Sequence, residues 1–241
     1  MPEPPSRAFI GTSGWAYPSW KPDFYPQRIA PRDFLSSYAT RLNAVEVNYT
    51  FRQILEPSTI ANWLSQTPGE FRFVVKAHQS ITHFRRLRNI EEPLQRFLDS
   101  IQPLLKSRRL GPVLYQLPHN MKADPVLLDE FLSQLPSRPH RAVEFRHESW
   151  LAEEVFRVLR RRKTALCISE TEKITTPEVQ TADFVYYRFR HPDYTKRQRT
   201  GLRKRIERFL AGGIPVYAFF MHEDEPSGPL WAEELFRALQ H

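Results

Sequence analysis

Two short segments carry charged residues where apolar strand residues are expected. In Val45-Glu46-Val47-Asn48 and Ala142-Val143-Glu144-Phe145-Arg146, strict alternation puts Glu46 and Asn48 on one strand face, and Glu144 and Arg146 on one face of another. A charge inside a strand needs a partner or a task. In one reading Glu46, Glu144, Arg146 and Arg188 neutralise one another as a buried ion-pair network. In the other they form a polar cup: the carboxylates serve as general base or metal ligand, and the arginines grip an oxyanion or phosphate through two parallel hydrogen bonds. Both readings stay open at this point.

Other groups would converge on the same place from other strand ends. They are Lys76 and His78, Gln116, Glu170, Arg188 and Arg190, and His222 with Asp224. His83 and His147 are candidate acid–base groups, although each also reads as a surface or hydrogen-bonded core histidine. No HxH, HExxH or CxxC spacing is present. A divalent metal therefore stays open as a cofactor only through scattered Glu and His residues meeting in space. An early loop, Thr12 to Trp20 followed by Phe24-Tyr25-Pro26, is dense in aromatics. Ser13, Trp15 and Trp20 in it read as substrate-binding residues, the two indole rings stacking on a sugar or base, or else as a loop packing its own rings over a barrel mouth. No Gly-rich phosphate cradle and no GxSxG elbow occurs, so triphosphate hydrolysis and serine-esterase chemistry lose their usual warrants.

Eight short runs rich in β-branched and aromatic residues must position these groups: Phe9 to Thr12, Val45 to Asn48, Phe71 to Lys76, Pro112 to Leu117, Arg141 to Phe145, Thr164 to Ser169, Phe184 to Phe189 and Pro215 to Phe220. Helical patterns lie between most of them, for example after Asp124-Pro125 and after Pro229. Eight alternations in 241 residues favour an α/β fold of the (β/α)8 TIM-barrel type over an open sheet, with residues 1–241 as one domain. The ligand site then belongs at the C-terminal strand ends. The segment from Ser169 to Phe184 leaves little room for a helix, so the barrel is expected to be irregular between strands six and seven.

Topology sorts the basic clusters. Lys106 to Arg109 and Arg160 to Lys163 precede strands and read as helix C-terminal charges. Arg85 to Arg88 and Lys196 to Arg199 follow strands and border the expected mouth. The formal net charge is +8, which suits an anionic small molecule or nucleic acid as partner, although many basic proteins are only well solvated. The apolar runs are far too short to cross a bilayer, so no membrane partner is expected. MPEPPSR does not read as a secretory leader, and the lone Cys167 cannot form an internal disulfide, which together suggest a cytoplasmic protein. Oligomeric state is not legible.

The chain resembles the YecE-like family, domain of unknown function 72. The matching blocks are Gly11-Thr12-Ser13-Gly14-Trp15 with Trp20 and Phe24-Tyr25-Pro26, Val45 to Asn48 with Thr50-Phe51, and Phe73 to Lys76 with Thr82-His83. They continue through Gln116-Leu117-Pro118, Val143 to His147 with Ser149-Trp150, Tyr187-Arg188 and the segment 232–239. The resemblance implies a TIM-barrel-like fold, akin in shape to metal-dependent endonuclease and sugar-isomerase barrels, and no established activity. Departures at Arg52, Phe189-Arg190-His191 and Met221-His222-Glu223-Asp224 add positive charge near the expected mouth. Three functions fit: an enzyme, a hydrolase among the options, acting on a phosphorylated or other anionic substrate; a nucleic-acid-binding module without catalysis; or a metabolite-binding barrel that has lost catalysis.

Overall fold

The computed structural model describes residues 7–170, 174–221 and 224–240. Eight parallel strands form the sheet: β1 Ala8–Thr12, β2 Ala44–Val47, β3 Arg72–Lys76, β4 Leu110–Gln116, β5 Arg141–Glu144, β6 Ala165–Glu170, β7 Val185–Phe189 and β8 Val216–Phe220. Their order, β1-β8-β7-β6-β5-β4-β3-β2, curls the sheet into a nearly closed barrel. The helices are α1 Phe34–Ala39, α2 Pro57–Ser65, α3 Glu91–Lys106, α4 Pro125–Gln134, α5 Glu153–Arg161, α6 Lys196–Ala211 and α7 Ser227–Ala238. The β6 to β7 connection carries no helix among its described residues, as its composition suggests. Among the described residues no helix is long and apolar enough to cross a membrane.

Two apolar layers follow from alternation along parallel strands. Outward strand residues such as Val45, Val75, Val143 and Tyr187 pack with the helices into the main core. Inward residues Val74, Leu114, Ala142, Cys167, Tyr186 and Phe219 fill the barrel itself. Above this plug the inward positions turn polar, and every one of them lies at or next to a C-terminal strand end.

The ring closes between β1 and β2 by unusual means. A single backbone bridge joins Ser13 to Glu46, with the Gly14 N–H donating to the Glu46 carbonyl at 2.8 Å. Below it, side chains replace the ladder. The Ile10 N–H donates to Asn43 Oδ1 at 2.9 Å, and Asn43 Nδ2 donates to the Ala8 carbonyl at 2.7 Å. The Thr12 N–H donates to Tyr38 Oη at 2.9 Å, and that hydroxyl donates onward to the Ala44 carbonyl at 2.9 Å. The seam works only because Gly11 lacks a side chain: a Cβ there would drive into the Ala44 carbonyl and come within 2.8 Å of the Tyr38 hydroxyl. Gly11→Ala is expected to cost about 1–3 kcal/mol through forced backbone displacement, read as a fall in urea midpoint at unchanged slope. An unchanged midpoint would mean that the seam tolerates the extra carbon.

Candidate functional site at the C-terminal mouth

The polar layer is built around Arg188, which β7 alternation turns inward two residues after Tyr186. Arg188, Glu46 and Glu144 are 1 %, 0 % and 1 % exposed. Arg188 Nη2 donates to Glu46 Oε1 at 2.6 Å, and Nη1 donates to Glu144 Oε2. The second oxygen of Glu46 accepts from the Tyr186 hydroxyl at 2.6 Å. Gln116 Nε2 donates to Glu144 Oε2 at 2.8 Å, and Gln116 Oε1 accepts from Lys76 Nζ at 2.8 Å. Arg190, half-buried, approaches Glu144 Oε1 at 3.5 Å. Five strands thus contribute to one continuous set of partners.

Burial alone would raise the Glu144 carboxyl. The charges of Arg188 and Arg190, with hydrogen bonds from Gln116 and Arg188, outweigh it and hold the group down to about 2. A carboxylate so acidic is a poor proton acceptor. Both carboxylates are also spent on Arg188. Among the described residues no group of three or more His, Cys, Asp or Glu could hold a metal ion. Cys167, inside the barrel beneath this layer, has its thiol pushed well up by burial and the nearby Glu144, which makes it inert as a nucleophile.

Lys76 closes β3 and differs from the arginines. Its Nζ lies 4.0 Å from the centre of the Phe51 ring, and burial, then Arg188, lowers it to about 8. The loop carrying Phe51 is tied down by the Thr50 hydroxyl, which bonds the carbonyls of Val47 and Lys76. The edge of Phe51 meets His83 with ring centres 4.8 Å apart. His83 sits on a single π-helical turn, Ser80–Phe84, and burial followed by Lys76 and Arg146 pushes it down to about 4. It is neutral at pH 7. Just beyond, Arg86, Leu87 and Asn89 take left-handed backbone angles, and buried Leu87 pins the loop. Non-glycine residues adopt such angles only where the surroundings over-determine them.

Several expected members lie elsewhere. β5 ends at Glu144, so Arg146 is exposed at the rim instead of sharing the inner face of Glu144. It remains close enough to depress the proton affinity of His83 and Arg190. Trp20 is fully buried, stacked on Tyr25 at 5.8 Å and edge-on to Phe24 at 5.6 Å, and offers no surface to a ligand. Trp15 is partly exposed, with its edge on Trp63. Asn48 Nδ2 donates to Ser13 Oγ, so these two join at the β1/β2 seam. His147 Nδ1 accepts from the Ser149 N–H at 3.2 Å and caps the short turn Glu148–Trp150. His78 Nδ1 pairs with the Ser80 hydroxyl at 2.8 Å. Glu170 points outward and binds Arg205 of α6 at 2.5 Å. His222 lies outside the described residues.

Sequence reasoning missed Tyr186 and Ser169. Both were available from the alternation that found Arg188, since Tyr186 precedes it by two residues and Ser169 pairs with it across the β6/β7 register. Among the described residues, four buried polar atoms of this layer have no hydrogen-bond partner: Asn48 Oδ1, Ser169 Oγ, Arg188 Nε and Arg190 Nε. The inner layer carries Glu46 and Glu144 with Arg188, Arg190 and Lys76, and Arg146 stands at the exposed rim.

Residues 9–241 match the model of a family described as protein of unknown function DUF72. Over 145 residues the chain is 31 % identical to UPF0759 protein YecE of Escherichia coli (strain K12), covering 60 % of this chain and 50 % of that protein. It is 29 % identical over 150 residues to UPF0759 protein YunF of Bacillus subtilis (strain 168), covering 60 % and 52 %. The chain spans about half the length of these curated relatives in the matches. A crystal structure of a DUF72 family protein from Thermotoga maritima MSB8 superposes with a TM-score of 0.87 at 25 % identity, over 97 % of this chain and 99 % of that one. One from Enterococcus faecalis V583 gives 0.74 at 17 % identity over 97 % of each chain, a likeness of fold alone.

Proposed function

This chain belongs to the DUF72 family, and from that premise we propose that it is an enzyme acting on a small phosphorylated or carboxylated substrate at the C-terminal mouth of its barrel. The observation that carries this reading is the group of four buried, unpartnered polar atoms at one end of the strands, in a layer with more cations than anions. Buried polar groups left without partners are rare, and a ligand with several acceptor oxygens and a hydroxyl would satisfy them. Arg190 and Arg146 are the anion-binding groups, because Arg188 is already spent on two carboxylates. Glu46 and Glu144 act by holding Arg188, and His83 and Lys76 are left to move protons. A reducing, cytoplasmic setting suits a chain whose only cysteine is a buried free thiol.

A second reading rests on two exposed rings, Tyr49 at 59 % and Phe84 at 71 %, on the loops after β2 and β3 beside Arg52, Arg85 and Arg88. Rings interleaved with cations suit single-stranded nucleic acid. One titration separates the two. Inorganic phosphate and glycerol 3-phosphate should bind, and Arg190→Ala and Arg146→Ala should each weaken them roughly 10- to 100-fold, the worth of one charge-assisted hydrogen bond. Indifference of both substitutions would discard the anion site. An oligonucleotide that binds at low salt and is lost with Phe84→Ala, while phosphate does not bind, would favour the second reading.

A further inference from the structure

We propose that Lys76 is a covalent catalytic residue, its Nζ condensing with the carbonyl carbon of a phosphorylated or carboxylated aldehyde or ketone to form an imine. This rests on the anion-binding reading above and names the substrate class of that same site.

A structural lysine beside two carboxylates would pair with one of them. Here Gln116 stands between: its amide nitrogen must face Glu144, the acceptor-only group, so its carbonyl oxygen faces Lys76. Among the described residues no carboxylate lies within 4.0 Å of the Lys76 nitrogen. Its near partners are a neutral amide and the face of Phe51. Burial, with Arg188 and Arg190, works against the ammonium and outweighs the more distant Glu144 and Glu46, which brings the free, nucleophilic amine within reach near neutral pH. As an amine it donates one N–H to Gln116 and keeps its lone pair for attack.

The surroundings suit the step. Nζ sits at the end of β3, at the barrel mouth, where a substrate anchored through its anion on Arg190 or Arg146 would present its carbonyl. The amine attacks the carbonyl carbon, a C–N bond forms, and the π electrons pass to oxygen. That oxygen takes a proton released by the attacking nitrogen. A second proton, returned by the acid that first took it from the ammonium, lets the C–O bond break and water leave. Ammonium and carbonyl thus give iminium and one water, with no net change in protons. Solvent at the barrel mouth takes and returns that second proton.

The test is borohydride trapping on the intact protein with dihydroxyacetone phosphate and with pyruvate, followed by peptide mass mapping. The expected result is one reduced adduct on the peptide containing Lys76 with at least one of the two probes, absent without borohydride and competed by glycerol 3-phosphate, which has no carbonyl. Lys76→Arg should lose the adduct, and if that variant does not fold, the wild-type map decides alone. Adducts scattered over surface lysines without preference for Lys76, in a protein that still binds phosphate, would overturn the imine and leave the anion site standing. Failure of phosphate and glycerol 3-phosphate to bind at all would remove the anion reading and the imine with it.

Discussion

Arg188→Ala should lower the melting temperature by roughly 6–20 °C, whereas the combined variant Glu46→Gln, Glu144→Gln, Arg188→Met should melt close to the wild type. The single substitution strands two carboxylates, buried to 0 % and 1 % exposure, without the guanidinium that compensates them. Breaking a buried pair in this way costs about 3–5 kcal/mol, and in a protein of this size each kcal/mol moves the melting point by about 2–4 °C. Removing all three charges takes the desolvation penalty away along with the attraction, which is often neutral or stabilising. The two melting curves therefore separate a network kept for folding from one kept for a ligand. If the uncharged triple variant melts as low as Arg188→Ala, the ion pairs themselves stabilise the barrel. If it melts like wild type and no longer binds phosphate, the network exists to orient the mouth.

Acid should destabilise the protein through Glu144 by up to about 3 kcal/mol between pH 5 and pH 2. The sign follows from the depressed folded-state value of about 2 against an ordinary 4.5. Above 4.5 the carboxylate is charged in both states and its stabilisation is complete. As pH falls toward 2 the unfolded chain takes up the proton first, and stability drains away. Asp129, held to about 2 chiefly by its hydrogen bond from Arg162, titrates in the same window, so the comparison must be internal. Urea unfolding of wild type and Glu144→Gln at several pH values should give a shallower dependence for the variant, whatever its stability at pH 7. Parallel curves would assign the acid sensitivity to surface pairs such as Asp129 with Arg162.

Much of this architecture is legible in the chain because barrel strands are short and punctuated. All eight runs of β-branched and aromatic residues become strands, with ends shifted by a residue or two, and the helix-poor segment before β7 is visible as a composition gap. Alternation also finds Glu46, Glu144 and Arg188, since a charge flanked by valines or aromatics has only one inward direction. Where β5 stops is harder to read. Phe145 has strand character, yet its ring stacks on Trp150 at 4.8 Å and leaves the sheet, carrying Arg146 to the rim. Trp20 illustrates a second limit. Aromatic density in a loop is the same signal whether the rings wait for a ligand or, as with Trp20, Tyr25 and Phe34, stack on each other. The choice between a mutual ion network and an open cup needs distances. They show Arg188 enclosed by two carboxylates, with Lys76 on Gln116, Arg190 near Glu144 and Arg146 at the exposed rim.

The seam between β1 and β2 has a consequence for how the protein can fail. Elsewhere the ring is held by main-chain ladders, but here the clasp is a tyrosine from α1 and an asparagine beside it. Should α1 lift away, two strands are bared together, each with unpaired N–H and C=O groups along its length. Such edges are templates for strands of another chain. Docking of one six-residue helix thus guards against edge-to-edge aggregation, and substitutions at Tyr38 or Asn43 threaten solubility as well as the fold.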